Sequence, residues 1–300
     1  MKSTVFPADE ELDGLVVGTE SITWRIASDA RLWVVMLYPL LLQVAHPTVG
    51  AGVRDFSDFE RHPWERLLGT LDYVTLLVYA GRDAAPAGRR LREMHRRMRG
   101  VRADGRRYHA LEPGAYAWVH ATLLMAYAAG HARFGTPLSD DELCGFYHEY
   151  RKLGRLVGVR YRDLPDDWDG FLSYFDHMVA CELVHTEAVD QVLRALRNAP
   201  SPPAPVSGAL WPVIRMPARR ALWLGGVGLL GPSLRERLEL HWSRLDDAQF
   251  RALGAASRRL TPVMPDSFRV TGPGQLRYRE RAIAGGPLGR AANDRRAPEH

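Results

Sequence analysis

The sequence predicts an all-α protein built as a single large helical domain. Segments with apolar residues three and four positions apart follow one another along most of the chain, and proline, glycine or a capping residue bounds them. No alternating run of β-branched residues lies between turn signals, so no strands are expected. The hydrophobic share of 46% in 300 residues is ordinary for a globular chain with a sizeable core.

Boundary residues place the expected helices in order. Asp29 can cap the first helix, and Pro47 with Gly50 would break it directly after His46. A capping box begins at Ser139 and opens the fifth helix. The predicted helices cover 32–44, 64–79, 86–99, 113–134, 139 to between 154 and 158, 166–180, 186–197, 218–230, 232–240 and 246–260.

The expected organisation is one helical domain at 28–281, between an N-terminal extension at 1–27 and a tail at 282–300. The tail is rich in Gly, Ala and Arg, and disorder is expected there. The proline-rich segment 198–208 is interpreted as an internal connector. The helices after it are apolar enough to pack on the first part and too few to form a second core.

Composition excludes several classes of protein. The net charge of +5 comes without a nucleic-acid-binding motif, so no nucleic-acid partner is expected. Cys144 and Cys181 form no Cys-x-x-Cys pair, which argues against a disulfide framework or zinc site. With an acidic N-terminus, this predicts a cytoplasmic protein. The apolar run 32–45 is too short to span a bilayer, although peripheral membrane contact stays an alternative.

The third predicted helix carries a histidine on its apolar stripe. One helical face, which should meet the core, carries Leu91, Met94, His95 and Met98. Arg92 and Arg99 flank His95 by about one turn on each side. A buried imidazole among cations suits a ligand with a metal at its centre and an anionic edge, as in haem. The alternative is a core histidine bonded to a backbone carbonyl, beside solvated arginines.

Two further histidines are candidates. His46 ends an apolar helix, where it is either a core residue bonded to Gln43 or a group that handles protons. His120 lies in a segment apolar on all sides and competes with His95 as a metal ligand, unless it lines a pocket or bonds a neighbour. A di-iron site needs two Glu-x-x-His helices, and only Glu182-x-x-His185 has that spacing.

An ordered set of motifs gives the chain a family resemblance. Between about residue 28 and 197, and more weakly to about 269, it resembles the rubber oxygenase (latex clearing protein) and MpaB-like oxygenase catalytic-domain family. The motifs in order are His46-Pro47, Arg66-x-x-x-Thr70, Arg92-x-x-His95-x-x-x-Arg99 and the segment 116–123.

The resemblance implies a globin-like helical fold, b-type haem as cofactor, and cleavage of carbon–carbon double bonds in isoprenoid chains with dioxygen. The expected function is therefore a haem-dependent oxygenase acting on an apolar, unsaturated small molecule. The alternative is a haem-binding protein without turnover, such as a gas or redox sensor or a haem carrier.

Residue by residue, the resemblance implies His95 as the proximal iron ligand, with Arg92 and Arg99 as its arginine neighbours. Arg66 and Thr70 correspond to the arginine and threonine of the distal helix. His46 would handle protons on the distal side, and His120 would contact the cofactor pocket. Rubber oxygenases carry a lysine just before that threonine, whereas this chain has Gly69, so iron ligated by lysine is not expected.

Overall fold

The computed structural model describes residues 6–58, 60–200 and 210–263. Twelve α-helices lie in these ranges, and the all-α prediction is confirmed. They are α1 Ile22–Ala27, α2 Leu37–Ala45, α3 Pro47–Phe56, α4 Pro63–Tyr79, α5 Ala84–Arg96, α6 Pro113–Phe134, α7 Asp140–Leu156, α8 Trp168–His177, α9 Glu187–Asn198, α10 Trp211–Gly228, α11 Pro232–Arg237 and α12 Arg244–Leu260.

A small antiparallel hairpin lies between α5 and α6. Strand β1 (Arg99–Val101) pairs with β2 (Arg107–His109), and Gly100 lies opposite Tyr108. The expectation of no strands, and of a helix that continues to Arg99, is wrong at this point. Gly105 adopts φ of +80°, a turn conformation that glycine permits, and Tyr108 anchors the hairpin on α3 by donating a hydrogen bond to Asp55.

The segment predicted as the first helix, residues 32–44, forms a 3-10 turn and then an α-helix. A second α-helix follows directly after the break expected at Pro47. The side chain of Asp29 caps a 3-10 turn at Ala30–Val35 by accepting from the Arg31 N–H, and α2 follows it. Pro47 then begins α3 at once, with a bend of 99°. Proline suits the first position of a helix, so here it ends one helix and opens the next. Among the described helices none could span a membrane alone by length and apolar composition, although the bent pair Ala30–Ala45 with Pro47–Phe56 passes that test together.

Three other helices begin or end at residues that differ from the predicted boundaries. Helix α8 ends at His177, and a π-helical turn continues it over Met178–Glu182. Helix α10 begins seven residues before the prediction and contains Pro217 in its interior. Helix α11 ends at Arg237 rather than at 240. Residues 212–217, which include Pro217, are exposed, so burial in the core does not account for the early start of α10.

The core is centred on α2 and α6. Leu41 and Leu42 on α2 and Trp118 on α6 are fully buried, and the Trp118 indole N–H donates to the Leu42 carbonyl at 2.9 Å. Helix α10 crosses close to the start of α2. A Cβ on Gly225 would lie 2.2 Å from the Val34 carbonyl oxygen, so glycine permits contact between the backbones.

The N-terminal residues contribute to the same core. Leu12, Trp24 and Ile26 are buried in the cluster that contains α2 and α6. The domain limits at 28 and 281 stay a prediction. Positions 201–209, which include most of the predicted connector, and the tail at 282–300 lie outside the described residues.

Candidate functional site

His95 lies in the last turn of α5, and its ring has a defined hydrogen bond. Nδ1 lies 2.7 Å from the carbonyl oxygen of Leu91, one turn earlier. A carbonyl only accepts, so Nδ1 carries a proton, and in the neutral ring Nε2 carries the lone pair. Histidines that bind metals usually make such a second contact, which fixes the tautomer and the ring orientation. This is the bond to a backbone carbonyl that the alternative interpretation of His95 expected, and it is also compatible with an iron ligand through Nε2, so both interpretations stay open.

The surroundings of His95 are more open than the sequence predicts. Ala84, Ala85 and Gly88 in the first half of α5 are buried, whereas His95 is half-buried and Met94 on the same stripe is 46% exposed. The expectation that the whole stripe faces the core is wrong. Helix α5 packs on α7 through its small residues and then runs out to the rim of the molecule, so His95 lies at an accessible edge.

Tyr116 on α6 supports both His95 and Arg92. The His95 and Tyr116 rings meet edge to face with centroids 6.0 Å apart, and the Arg92 guanidinium carbon lies 5.5 Å from the Tyr116 centroid. The Tyr116 hydroxyl donates to the Val157 carbonyl at 3.0 Å, which fixes the ring. His95 and Arg92 therefore contact the same ring, that of Tyr116.

Arg99 is not part of this group. It lies on β1, is exposed, and faces His109 across the hairpin. The expectation that it continues α5 one turn beyond His95 is wrong, because α5 ends at Arg96.

The distal candidates lie on α4, which is joined to α5 by the short 3-10 turn Gly81–Asp83 and contacts it. Thr70 and Gly69 are exposed on α4. Arg66 is in the same helix, one turn before Thr70, and its side chain lies outside the described part. The roles of Arg66 and Thr70 stay predictions, on a helix that adjoins the one carrying His95.

His46 lies at the junction of α2 and α3 and is 9% exposed. Its Nδ1 makes no hydrogen bond within the described part of the chain. The expected partner Gln43 donates instead to the Thr122 hydroxyl at 2.9 Å. Burial, reinforced by the guanidinium of Arg102 on the hairpin side, lowers the pKa of His46 to about 4. His46 is therefore a buried, neutral imidazole near pH 7, and its role in proton handling stays a prediction.

His120 is enclosed in the core. It is 4% exposed, its Nε2 lies 2.9 Å from the Tyr150 carbonyl oxygen, and its ring stacks on Tyr150 with centroids 4.5 Å apart. A Cβ on Gly154 would lie 2.9 Å from Nε2. These contacts favour the interpretation of His120 as a residue that bonds a neighbour, and they disfavour it as the iron ligand.

Beside Arg92 lies a small, open recess that no sequence motif indicates. It is lined by Arg92, Leu111, Pro113, Tyr116, Gly158, Arg160 and Asp163. Arg160 and Asp163 are three residues apart, a spacing that indicates an ion pair. The spacing does not indicate that this ion pair lies beside α5. In the described part of the chain no three metal-ligating side chains form a cluster, and His185 pairs with Asp190 at 3.1 Å.

The buried histidines predict an acid-sensitive fold. Burial also lowers the pKa of His120 from 6.5 to about 4. The unfolded chain therefore binds protons that the folded chain excludes, and stability falls as the pH drops below 6.5. The loss is up to about 1.4 kcal/mol per histidine for each pH unit. Urea unfolding at pH 7, 6 and 5 measures it, and His120→Gln should flatten this dependence whereas His62→Gln at an exposed site should not. Equal slopes in all three proteins would contradict the prediction.

Comparison with known proteins identifies relatives. The family described as ER-bound oxygenase mpaB/B'/Rubber oxygenase, catalytic domain, matches residues 24–259. Two mycobacterial relatives are each 26% identical over 238 residues, covering 77% of this chain and 90% of the relative. They are the uncharacterized proteins Mb2261 of Mycobacterium bovis and Rv2237 of Mycobacterium tuberculosis. No solved structure matches this chain.

Proposed function

The chain belongs to the mpaB/rubber oxygenase catalytic-domain family, and on this basis we propose that it is a b-type haem-dependent oxygenase that acts with dioxygen on an apolar, unsaturated small molecule. The observation that carries the proposal is the state of His95. Within the family motif, its Nδ1–H is bonded to the Leu91 carbonyl, which directs the lone pair to Nε2.

Several residues have defined tasks in this proposal. His95 would hold the iron, and its bond to Leu91 would keep the ring oriented. Tyr116 would brace that ring and the Arg92 guanidinium, which would offset the negative charge at the edge of the cofactor. Bound haem would supply the iron chemistry that activates dioxygen. His46, neutral near pH 7 because burial lowers its pKa, would take part in proton handling as a hydrogen-bonding group and not as a resting cation.

The proposed substrate class follows from the family description, which includes rubber oxygenase, because rubber is an unsaturated hydrocarbon polymer. The half-buried edge at His95, with Met94 exposed beside it, is compatible with access by an apolar molecule from outside. Dioxygen is the second substrate of this proposal.

The test of the cofactor is an absorption spectrum of the protein expressed with adequate iron. We expect one non-covalent haem per chain, with a Soret band that shifts on reduction and again on addition of carbon monoxide. Acid–acetone should extract the haem, because the sequence contains no Cys-x-x-Cys-His attachment motif. A preparation that is colourless and binds no haem on titration would overturn the proposal.

A second candidate function is haem binding without turnover, as in a gas or redox sensor or a haem carrier. Gly69 favours it, since the position before Thr70 lacks the family lysine. Steady oxygen consumption with a cleaved or hydroxylated product identifies the oxygenase, whereas reversible gas binding without product identifies the alternative.

The variants Arg66→Ala and Thr70→Ala are expected to keep haem and to lose reactivity with dioxygen or substrate by at least about tenfold. Both residues lie on α4, and the iron would be held from α5. Haem content from extraction and single-turnover rates on the same preparation separate the two effects. If either variant loses haem as completely as a His95 variant, the distal assignment is wrong.

A further inference from the structure

Two guanidinium groups from separate parts of the chain converge on the recess beside α5. Arg92 enters it from α5, and Arg160 enters it from the segment after α7. Their like charges act on each other, because Arg160 contributes to the lowered pKa of Arg92 after the larger effect of burial. The Asp163 carboxylate, which also lines the recess, offsets part of this repulsion.

The charges in the recess do not cancel. Arg160 is neutralised by Asp163, which accepts its Nε–H at 2.9 Å and its Nη2–H at 2.7 Å. Arg92 forms no ion pair within the described part of the chain and lies instead between two aromatic rings, those of Phe6 at 5.9 Å and Tyr116 at 5.5 Å. The recess therefore carries one net positive charge, which matches a ligand group with a single negative charge.

The walls of the recess are fixed before any ligand arrives. Gly158 turns the chain after α7 with φ of +90°, a conformation that favours glycine. The Tyr116 hydroxyl holds the neighbouring Val157 carbonyl, and a Cβ on Gly88 would lie 2.1 Å from the Leu156 carbonyl oxygen. Backbone contact between α5 and the end of α7 thus sets the separation of Arg92 from Arg160.

We propose that this recess binds a carboxylate group, with Arg92 and Arg160 as its donors and Tyr116 as one wall. The Arg92 guanidinium has no ion-pair partner among the described residues, so its fork can take a carboxylate, which carries the single charge that the recess lacks. Asp163 already accepts from the Nε and Nη2 of Arg160, so Arg160 would donate through Nη1. The carboxylate could belong to a propionate of the haem, in which case this inference rests on the proposed function, or to a free acid with an apolar chain. In either case Arg160, and not the exposed Arg99, is the second arginine of the site.

The test compares haem with haem dimethyl ester, in which both propionates are blocked. The variant is Arg160→Gln with Asp163→Asn, which keeps the net charge and removes the fork. The control is Arg162→Gln, which removes an exposed charge close by that does not line the recess. Soret titrations of the apo-protein measure each dissociation constant, and circular dichroism verifies the fold. Arg160→Lys, which keeps the charge without the fork, provides a second variant if the double variant fails to fold.

For a haem propionate in the recess, we expect the double variant to bind haem about tenfold more weakly than the wild type and the ester equally well. Arg162→Gln should leave both constants unchanged. In a second titration, hexanoate is added to the apo-protein and binding is measured by calorimetry. If the wild type binds hexanoate saturably and the double variant does not, the ligand of the recess is a free acid.

The outcomes separate the two ideas. If the wild type binds no haem, the proposed function fails, and the hexanoate titration alone decides the recess. If haem binds equally to the wild type and the double variant, and hexanoate binds neither or both equally, the carboxylate site is overturned while the haem proposal stands.

Discussion

Replacing His95 with alanine is expected to abolish haem retention. The iron–imidazole bond is the main specific anchor of a b-type haem, whereas the rest of its affinity comes from apolar burial and propionate pairing. His95 has the required tautomer, and Arg92 and Tyr116 adjoin it. Pyridine haemochrome assays on the purified variant should give less than about a tenth of the wild-type haem content, in line with the tenfold effect of each 1.4 kcal/mol.

Three controls make this result specific. Imidazole added to His95→Ala with haem should restore part of the wild-type spectrum, because the cavity left matches the lost ring. His120→Ala, which removes a buried ring bonded to Tyr150, should lower stability but keep haem in the folded fraction, and His46→Ala should keep it too. If His120→Ala is the folded variant that loses haem, the ligand belongs to α6 and the assignment of His95 is wrong.

Replacing Gly88 with alanine is expected to destabilise the fold and weaken haem binding together. The added Cβ would lie 2.1 Å from the Leu156 carbonyl oxygen and 3.0 Å from the Val157 Cα, and both are backbone atoms that cannot rotate away. Overpacking of this kind costs about 1–3 kcal/mol. Helix α5 must shift from α7 to relieve the contact, and His95 moves with it. Urea midpoints and Soret titrations measure the two effects.

Gly114→Ala is the matched control, since nothing lies within 4 Å of a Cβ at that position on α6. Alanine there should leave stability unchanged or raise it by up to about 1 kcal/mol. If the Gly88→Ala protein is as stable as the wild type, α5 can move away from α7 at no cost, and the prediction is wrong.

The sequence predicts those parts of the fold that local chemistry decides. Ser139 caps α7 with its side chain as expected, and Pro113 begins α6. The hairpin escaped prediction because its strands have three residues each and depend on Tyr108 reaching Asp55 on α3. Local propensity carries no information on such a contact.

The sequence likewise predicts some residues of the candidate site and not others. The spacing of Arg92 and His95 places both on α5, and the structure brings them to Tyr116. Arg160 lies beside them only because α5 packs on the end of α7. No motif in the sequence predicts that packing. The sequence predicted Arg99 as a neighbour because it could not show that the helix ends at Arg96.

The crossing of α10 at Val34 and Leu37 has a consequence during synthesis. The early helices leave the ribosome long before Gly225 and Gly226, which pack against them. Contacts between such distant parts of a chain form late, because a long loop must close first. Until then the apolar surface that α10 will cover is open to other nascent chains. That surface therefore stays uncovered until α10 has been synthesised.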